Sequence, residues 1–321
     1  MSTRLGQSCT PIRRVWKHSL AYPTKQASIA STVTMYWLLG SVLSAEVAID
    51  AQGAQGAQLG QDEPVAVEPG GVALTMKRAL ESFGELEPEM ISSSPPILLL
   101  NKFASDEEVD ALLSLGEQLD YDESQQEQTG GRSAWRTSTT AMCPLPRQVA
   151  ERSPLLDALY TRASNVTQVP VDNFEPTQLV RYQAGQYYKL HVDDSFEAHA
   201  EPAGARVYTM LLFLSTVAPK TGGETVFKYA DSVDGGANFR LVLPRKGAAL
   251  VWPNVLDTDP DERDMTTMHA GAPLKSGVKL AANLWIRQRR YRPAHEWSEA
   301  ERESYAGKIR REQARRDSES R

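Results

Sequence analysis

Two histidines and one aspartate are spaced so that they could share a metal ion. His191-Val192-Asp193 sets an imidazole and a carboxylate two residues apart, and His269 brings a second imidazole from far along a chain that holds only 5 histidines. Side chains along a strand alternate between faces, so residues i and i+2 point the same way. His191 and Asp193 can therefore aim together into a sheet interior, and His269 from a distant strand would complete three ligands. Two imidazoles and one carboxylate leave three positions open on an octahedral ion, the arrangement for non-haem Fe(II) oxygen chemistry. A chelating keto acid would take two of these positions and dioxygen the third. By itself, His-x-Asp reads more simply as two surface residues of a strand. Its neighbours are what favour the metal.

The first neighbour is Lys279, ten residues after His269 in Gly277-Val278-Lys279-Leu280-Ala281. A lysine on an otherwise apolar strand is costly to bury unless it meets an anion. The far carboxylate of a dicarboxylic co-substrate is such an anion. Tyr182 can offer a hydroxyl donor to the same group. In Gly222-Gly223-Glu224-Thr225-Val226-Phe227 the small residues permit close backbone approach and Thr225 supplies another hydroxyl. Asp194, by strand geometry, is expected on the face opposite Asp193, toward solvent or an arginine. His199 is expected in an exposed polar loop.

These residues need elements to hold them. Pro96-Ile97-Leu98-Leu99-Leu100 reads as a strand, and Ser105-Asp106-Glu107-Glu108 as a capping box opening a helix with Val109, Leu112, Leu113 and Leu119 on its apolar face. A second helix is predicted from Pro154 to about Ser164. After Pro170 the pattern changes to short β-rich runs at 178–182, 187–192, 207–214, 225–227, 240–243, 248–252, 266–269 and 279–287. Each is bounded by Gly, Pro or Asp turns. Helices ahead of about eight such strands predict an α+β chain with a double-stranded β-helix (jelly-roll) core and N-terminal supporting helices.

The 321 residues are 41% hydrophobic and 24% charged with net charge -6, and no basic stretch suits a nucleic acid partner. Residues 1–45 contain no acidic residue but carry Arg4, Arg13, Arg14, Lys17 and Lys25, followed by an uncharged run over 26–45. That pattern predicts a targeting segment over 1–48, a signal peptide or type II signal anchor, with an organelle transit peptide as the alternative. Such a segment allows membrane anchoring and delivery to the endoplasmic reticulum lumen or membrane. Residues 49–91, which open on an Ala-Gln-Gly run, read as a low-complexity linker with a short helix near 76–86. The folded domain is placed at 92–290 and a charged C-terminal tail at 291–321, whose arginines interleaved with glutamates read as a solvated helix or frayed end. Cys9 and Cys143 give no disulfide framework, and Cys143 is expected to be a small buried hydrophobe. Asn165-Val166-Thr167 is a glycosylation sequon.

Read in order, Arg181-Tyr182-Gln183-Ala184-Gly185-Gln186-Tyr187-Tyr188-Lys189-Leu190-His191-Val192-Asp193 resembles the RYxxGQxYxxHxD signature of prolyl 4-hydroxylases. Gly222-Gly223-Glu224-Thr225 resembles that family's GGET turn, and His269 through Trp285 its HxxxPVxxGxKWxxxxW segment. Arg136-Thr137-Ser138 is similar to its RTS motif. The resemblance runs from about Ser92 to Arg290 and implies a jelly-roll dioxygenase using Fe(II), 2-oxoglutarate, dioxygen and ascorbate. It implies iron on His191, Asp193 and His269, and Lys279 on the co-substrate with Tyr182 and Thr225. Trp285 would line the same cavity, and Tyr188 and Arg206 would touch the peptidyl proline. The implied substrate is a proline-rich or collagen-like peptide, hydroxylated with release of succinate and carbon dioxide. Ala272 and Leu280 depart from the pattern, where the family often has Cys and Trp; neither is a ligand. Two further readings stand beside this one, a hydroxylase of another residue or small molecule, and a non-catalytic metal-binding β-sandwich.

Overall fold

A computed structural model describes residues 64–123, 135–231 and 239–319. The predicted targeting segment and the Ala-Gln-Gly run lie outside these residues. Among the described residues no helix is long and apolar enough to cross a membrane.

Six helices and twelve strands follow in the order α1 Gly71–Ser82, β1 Pro88–Ser93, β2 Pro96–Leu100, α2 Asp106–Gly116, β3 Asp122–Glu123, β4 Thr139–Met142, α3 Pro146–Ala150, α4 Pro154–Thr167, β5 Gln178–Tyr182, β6 Tyr188–His191, α5 Phe196–Ala200, β7 Arg206–Phe213, β8 Thr225–Phe227, β9 Arg240–Val242, β10 Ala249–Pro253, β11 His269–Gly271, β12 Lys279–Arg287 and α6 Glu299–Glu319. An eight-stranded sheet runs β1-β2-β10-β7-β12-β5-β4-β3 and a four-stranded sheet runs β6-β11-β8-β9, with every pairing antiparallel. This is the expected α+β chain with a jelly-roll core.

The large sheet is covered on both faces, so its central strands are mostly apolar on both sides while their side chains still alternate. On β7, Tyr208, Met210 and Leu212 join Leu98, Leu100, Ala282, Leu284 and Ile286 in a core shared with helices α1, α2 and α4. Leu211 and Phe213 turn the other way, toward Phe227 and Val242 of the small sheet. On β12 the same alternation puts Lys279, Ala281, Asn283 and Trp285 on the face between the sheets, opposite Ala282, Leu284 and Ile286. The candidate site lies on that inner face.

The supporting helices follow local rules. The predicted capping box opens α2: Glu108 N donates to Ser105 Oγ at 3.2 Å and Ser105 N to Glu108 Oε2 at 2.8 Å. Glu108 also accepts both guanidinium nitrogens of Arg162 on α4, each at 2.8 Å, tying the two helices together. Cys143 is buried as expected, and burial pushes its thiol up to about 12. In the sequon, Asn165 is exposed near the end of α4, whereas Thr167 is buried with its hydroxyl on Ala163 O at 2.8 Å.

Three expected boundaries are corrected. The folded body does not begin at Ser92: Val67, Val72, Met76 and Leu86 are buried, and Val67 exchanges hydrogen bonds with the Gln288 side chain at 2.9 and 2.7 Å. The first helix covers Gly71–Ser82, and Leu86 falls in a 3-10 turn after it. The strand expected at 266–269 is a 3-10 turn over Met265–Thr267, because the Asp264 carboxylate accepts Thr266 N at 2.8 Å, and the strand starts at His269. The charged tail folds as α6, opened by a second capping box in which Ser298 N donates to Glu301 Oε2 at 2.7 Å and Glu301 N to Ser298 Oγ at 3.2 Å.

The role of α1 and β1 is open to a direct test. A chain starting at Ser92 loses both, uncovering Leu98 and Leu100 and the apolar side of α4. It is expected to be recovered mostly insoluble, while a chain starting at Pro64 melts cooperatively by circular dichroism. Equal soluble yield and equal melting temperatures for the two would show that α1 and β1 are dispensable.

Candidate metal centre and co-substrate cavity

His191 ends β6 and His269 begins β11, and the two are directly paired across the small sheet. Asp193 lies just beyond β6. The ligand atoms of the three residues fall within 4.8 Å of one another, with Asp193 Oδ1 at 3.4 Å from His191 Nε2 and 3.6 Å from His269 Nε2. Each imidazole is held by a backbone carbonyl two residues earlier: Nδ1 of His191 meets Lys189 O at 2.8 Å and Nδ1 of His269 meets Thr267 O at 3.0 Å. A carbonyl only accepts, so each Nδ1 carries the proton and each Nε2 lone pair faces the centre of the cluster.

The protonation states suit a divalent cation. Burial, followed by the neighbouring His191, pushes the His269 imidazole down to about 4, leaving it neutral at pH 7. Burial alone would raise the Asp193 carboxyl, but His269, His191 and the Thr209 hydroxyl outweigh it and keep it ionised. Thr209 Oγ1 donates to Asp193 Oδ2 at 2.7 Å and accepts from Asn254 Nδ2 at 2.9 Å. One carboxylate oxygen is thus committed to the protein and the other is free for a metal. This donor set fits Fe(II) with three open positions.

Lys279 reaches the same inner face from β12, opposite Tyr182 of β5. It is 4% exposed, and no carboxylate forms an ion pair with it among the described residues. Its Nζ stands 3.5 Å from Thr225 Oγ1, with the Tyr182 and Phe213 rings at 5.4 and 5.8 Å. Burial pushes its ammonium down to about 8, against the opposing pull of Glu224. A buried ammonium with one long hydrogen bond lacks its counter-ion, and a ligand carboxylate would supply one. The tight turn that makes room is glycine-dependent: at Gly222 φ is +79° and a Cβ would lie 2.0 Å from Pro273 O.

The remaining predicted residues are placed as follows. Tyr188 stacks on His191 with ring centroids 3.5 Å apart, and the Arg136 guanidinium lies 4.8 Å from its other side. Burial pushes the Tyr188 phenol up to about 12, so it remains a hydroxyl at pH 7. Trp285 lines the cavity and lies under the Arg206 guanidinium at 3.9 Å. Arg206 is turned inward, bidentate on Glu175 at 2.7 and 2.8 Å and donating from Nη1 to Asp193 O at 2.9 Å. Asp194 and His199 correct the expectation of exposure: Asp194 is 0% exposed and meets His199 Nδ1 at 2.8 Å, with His199 on α5. The strand ends at His191 and Ser195 caps α5, so strand alternation no longer governs position 194.

Thr209, Asn254, Glu175 and Trp252 were not anticipated. Trp252 packs edge-on against His269 with centroids 4.8 Å apart. Thr209 carried the same signal as Lys279, a polar residue inside the apolar run Val207-Tyr208-Thr209-Met210-Leu211.

Thr209 is therefore expected to matter to the metal. Thr209→Val keeps the side-chain shape but removes the donor to Asp193 Oδ2, and should weaken Mn(II) binding by about 10–100-fold. An electron paramagnetic resonance titration reads this directly, and unchanged affinity would show that the hydroxyl does not orient the carboxylate.

Comparison with known proteins identifies the family. The sequence model of the 2OG-Fe(II) oxygenase superfamily matches residues 177–287, which hold all three cluster residues and Lys279. Prolyl 4-hydroxylase 1 of Arabidopsis thaliana is 34% identical over 218 residues, covering 64% of this chain and 74% of that protein. Prolyl 4-hydroxylase 5 of the same plant is 31% identical over 220 residues, covering 64% and 73%. Among solved structures, the viral collagen prolyl hydroxylase of Paramecium Bursaria Chlorella virus-1 is 27% identical with a TM-score of 0.44, covering 60% of this chain and 95% of its own. The chain belongs to the prolyl 4-hydroxylase family of 2-oxoglutarate- and Fe(II)-dependent dioxygenases.

Proposed function

We propose that this protein is a peptidyl-proline 4-hydroxylase acting on proline-rich or collagen-like peptides. One observation carries the reading: a His-Asp-His cluster with three coordination positions to spare lines the same cavity as a buried lysine that has no carboxylate partner among the described residues. A non-catalytic metal site would have no use for that lysine, and burying it uncompensated would only destabilise the fold.

In this reading His191 Nε2, Asp193 Oδ1 and His269 Nε2 hold the iron. Bound iron with 2-oxoglutarate and dioxygen supplies the oxidising power for C–H hydroxylation, releasing succinate and carbon dioxide, with ascorbate as reductant. The protein's own residues bind, orient and exclude water. Lys279 Nζ receives the far carboxylate of 2-oxoglutarate, with the Thr225 hydroxyl beside it and the Tyr182 phenol across the strand pair. Tyr182 is kept protonated by burial, so it remains a donor. Trp252 and Phe227 close the apolar side of His269. Tyr188, Trp285 and Arg206 form the wall toward the peptide; because Arg206 is bound to Glu175, its guanidinium is held fixed over the Trp285 ring. A polyproline II segment suits such a site, being extended and already ordered before binding. The acid-free basic N-terminus supports delivery to the endoplasmic reticulum lumen or membrane, and a tagged full chain found only in the cytosol would exclude this.

The deciding assay combines the full chain with Fe(II), ascorbate, 2-oxoglutarate and a panel of proline-rich peptides, read by mass spectrometry. A mass gain of one oxygen on proline is expected. Succinate formation without peptide modification would defeat the prolyl assignment. In the same assay Lys279→Ala should raise the 2-oxoglutarate requirement by about 10–100-fold, the loss of a charged hydrogen bond of about 1.5–3 kcal/mol. The dependence on pH has a definite sign. Below about pH 8 the free lysine is charged and ready for the carboxylate. Above that, binding must first take up a proton, so 2-oxoglutarate affinity should fall by about tenfold per pH unit. Calorimetry on the Mn(II) form measures this, and a flat profile to pH 10 would remove Lys279 from the carboxylate site.

A further inference from the structure

The turn between β6 and β7 contains a second buried carboxylate for which the proposed reaction has no use. Asp194 follows Asp193 directly and is 0% exposed, yet it neither lines the cavity nor belongs to the His-Asp-His cluster. Burying a carboxylate is costly unless donors surround it. Here each oxygen has its own partner. Oδ1 accepts the backbone N–H of Arg206 at 2.9 Å, and Oδ2 meets His199 Nδ1 at 2.8 Å.

Those partners connect Asp194 to everything that locates Asp193. Arg206 is the first residue of β7, and three residues later the same strand carries Thr209, the donor to Asp193 Oδ2. The Arg206 side chain also donates to the Asp193 carbonyl at 2.9 Å. His199 sits on the short helix α5, whose cap Ser195 accepts Ala198 N at 3.1 Å. Asp193 itself lies beyond the last residue of β6, outside the strand ladder that holds His191. Its main chain therefore depends on contacts from the turn, and Asp194 links that turn to β7 on one side and α5 on the other.

We propose that Asp194, steadied by His199, is the positioning residue that holds the Asp193 carboxylate in place between His191 and His269. This rests on the reading of those three residues as the metal site. The contribution is geometric, through two hydrogen bonds, and requires no change of protonation. An asparagine can reproduce it: its Oδ1 accepts from Arg206 N, and its Nδ2 donates to His199 Nδ1 in the ring tautomer that carries its proton on Nε2.

The test is a Mn(II) titration of the full chain followed by electron paramagnetic resonance, with melting temperatures of the metal-free proteins measured alongside. Asp194→Ala is expected to weaken Mn(II) binding by about 10–100-fold, the range for partners that orient a metal ligand. Asp194→Asn should recover most of that loss, and His199→Leu should lose affinity in the same direction. Ser105→Ala, which only uncaps α2 far from the turn, should lower the melting temperature and leave Mn(II) affinity unchanged. A folded Asp194→Ala with wild-type affinity overturns the proposal, as does an Asp194→Asn loss as large as that of the alanine variant. If Asp194→Ala does not fold, wild-type affinity in His199→Leu overturns it equally. The metal-site reading fails separately, if His191→Ala binds Mn(II) as well as the wild type.

Discussion

The geometry of the site depends on how the Asp193 carboxylate is shared. Its Oδ1 stands between two imidazoles while its Oδ2 is held by the Thr209 hydroxyl, itself held by Asn254. A buried carboxylate left with both oxygens uncommitted could turn toward either imidazole or toward Arg206. The hydroxyl removes that freedom. It fixes which oxygen faces the metal and, because Thr209 lies in the middle of β7, it references the ligand to the most central strand of the large sheet. The two histidines come from the small sheet, so the three ligands are brought together only when the sheets close on each other. Packing of Phe213, Leu211 and Phe227 between the sheets is thus a condition of metal binding as well as of folding.

Charge is distributed along the cavity with the same economy. The metal end carries a carboxylate and two imidazoles; the other end carries a buried ammonium. A dicarboxylic keto acid has its own charges at both ends and can satisfy the two at once, chelating at one and pairing at the other. A monocarboxylic keto acid would leave Lys279 unpaired in an apolar surround, at a cost of the order expected for an unsatisfied buried charged group, more than about 1–3 kcal/mol. Selectivity for the longer acid follows from that penalty more than from any added attraction.

Much of this could be read from the sequence because the chemistry and the strand period coincide. The runs at 178–182, 225–227 and 279–287 match strands β5, β8 and β12 end for end, since each is a short apolar segment with clear turn residues on both sides. Lys279 was legible as a charge out of place on such a strand. What escaped notice depended on partners distant in sequence. Strand β1, Pro88–Ser93, has no apolar alternation and exists because β2 pairs with it. Exposure is the wrong expectation for Asp194 because it lies three residues past the end of β6, in a turn that leads to the Ser195 cap of α5. The last helix is a different case. Ser298-Glu299-Ala300-Glu301 has the same spacing as the capping box at Ser105, and of the two forms its interleaved charges allow, a solvated helix or a frayed end, the tail takes the helix.

Arg206 shows why the wall of the pocket and the metal cannot be treated as independent parts. Its guanidinium lies over Trp285, pairs with Glu175 and donates to the Asp193 carbonyl, while its own backbone N–H is the donor to Asp194. Burial would disfavour that charge, but Glu175 outweighs it, and against its own burial the Glu175 carboxyl is held below its usual range by Arg206. Glu175 in turn stands 3.4 Å from Arg287, which is fully buried and reaches Ala198 O of α5 at 2.9 Å. The chain of contacts therefore runs from Trp285 in the cavity wall through one arginine to Asp193, and through a second to the helix that supports the turn of Asp193. A side chain pressed against Trp285 bears on the same guanidinium that holds Asp193. Trp285 on β12 and Asp193 in the turn after β6 thus meet at one side chain of β7, and a shift at either is felt at the other.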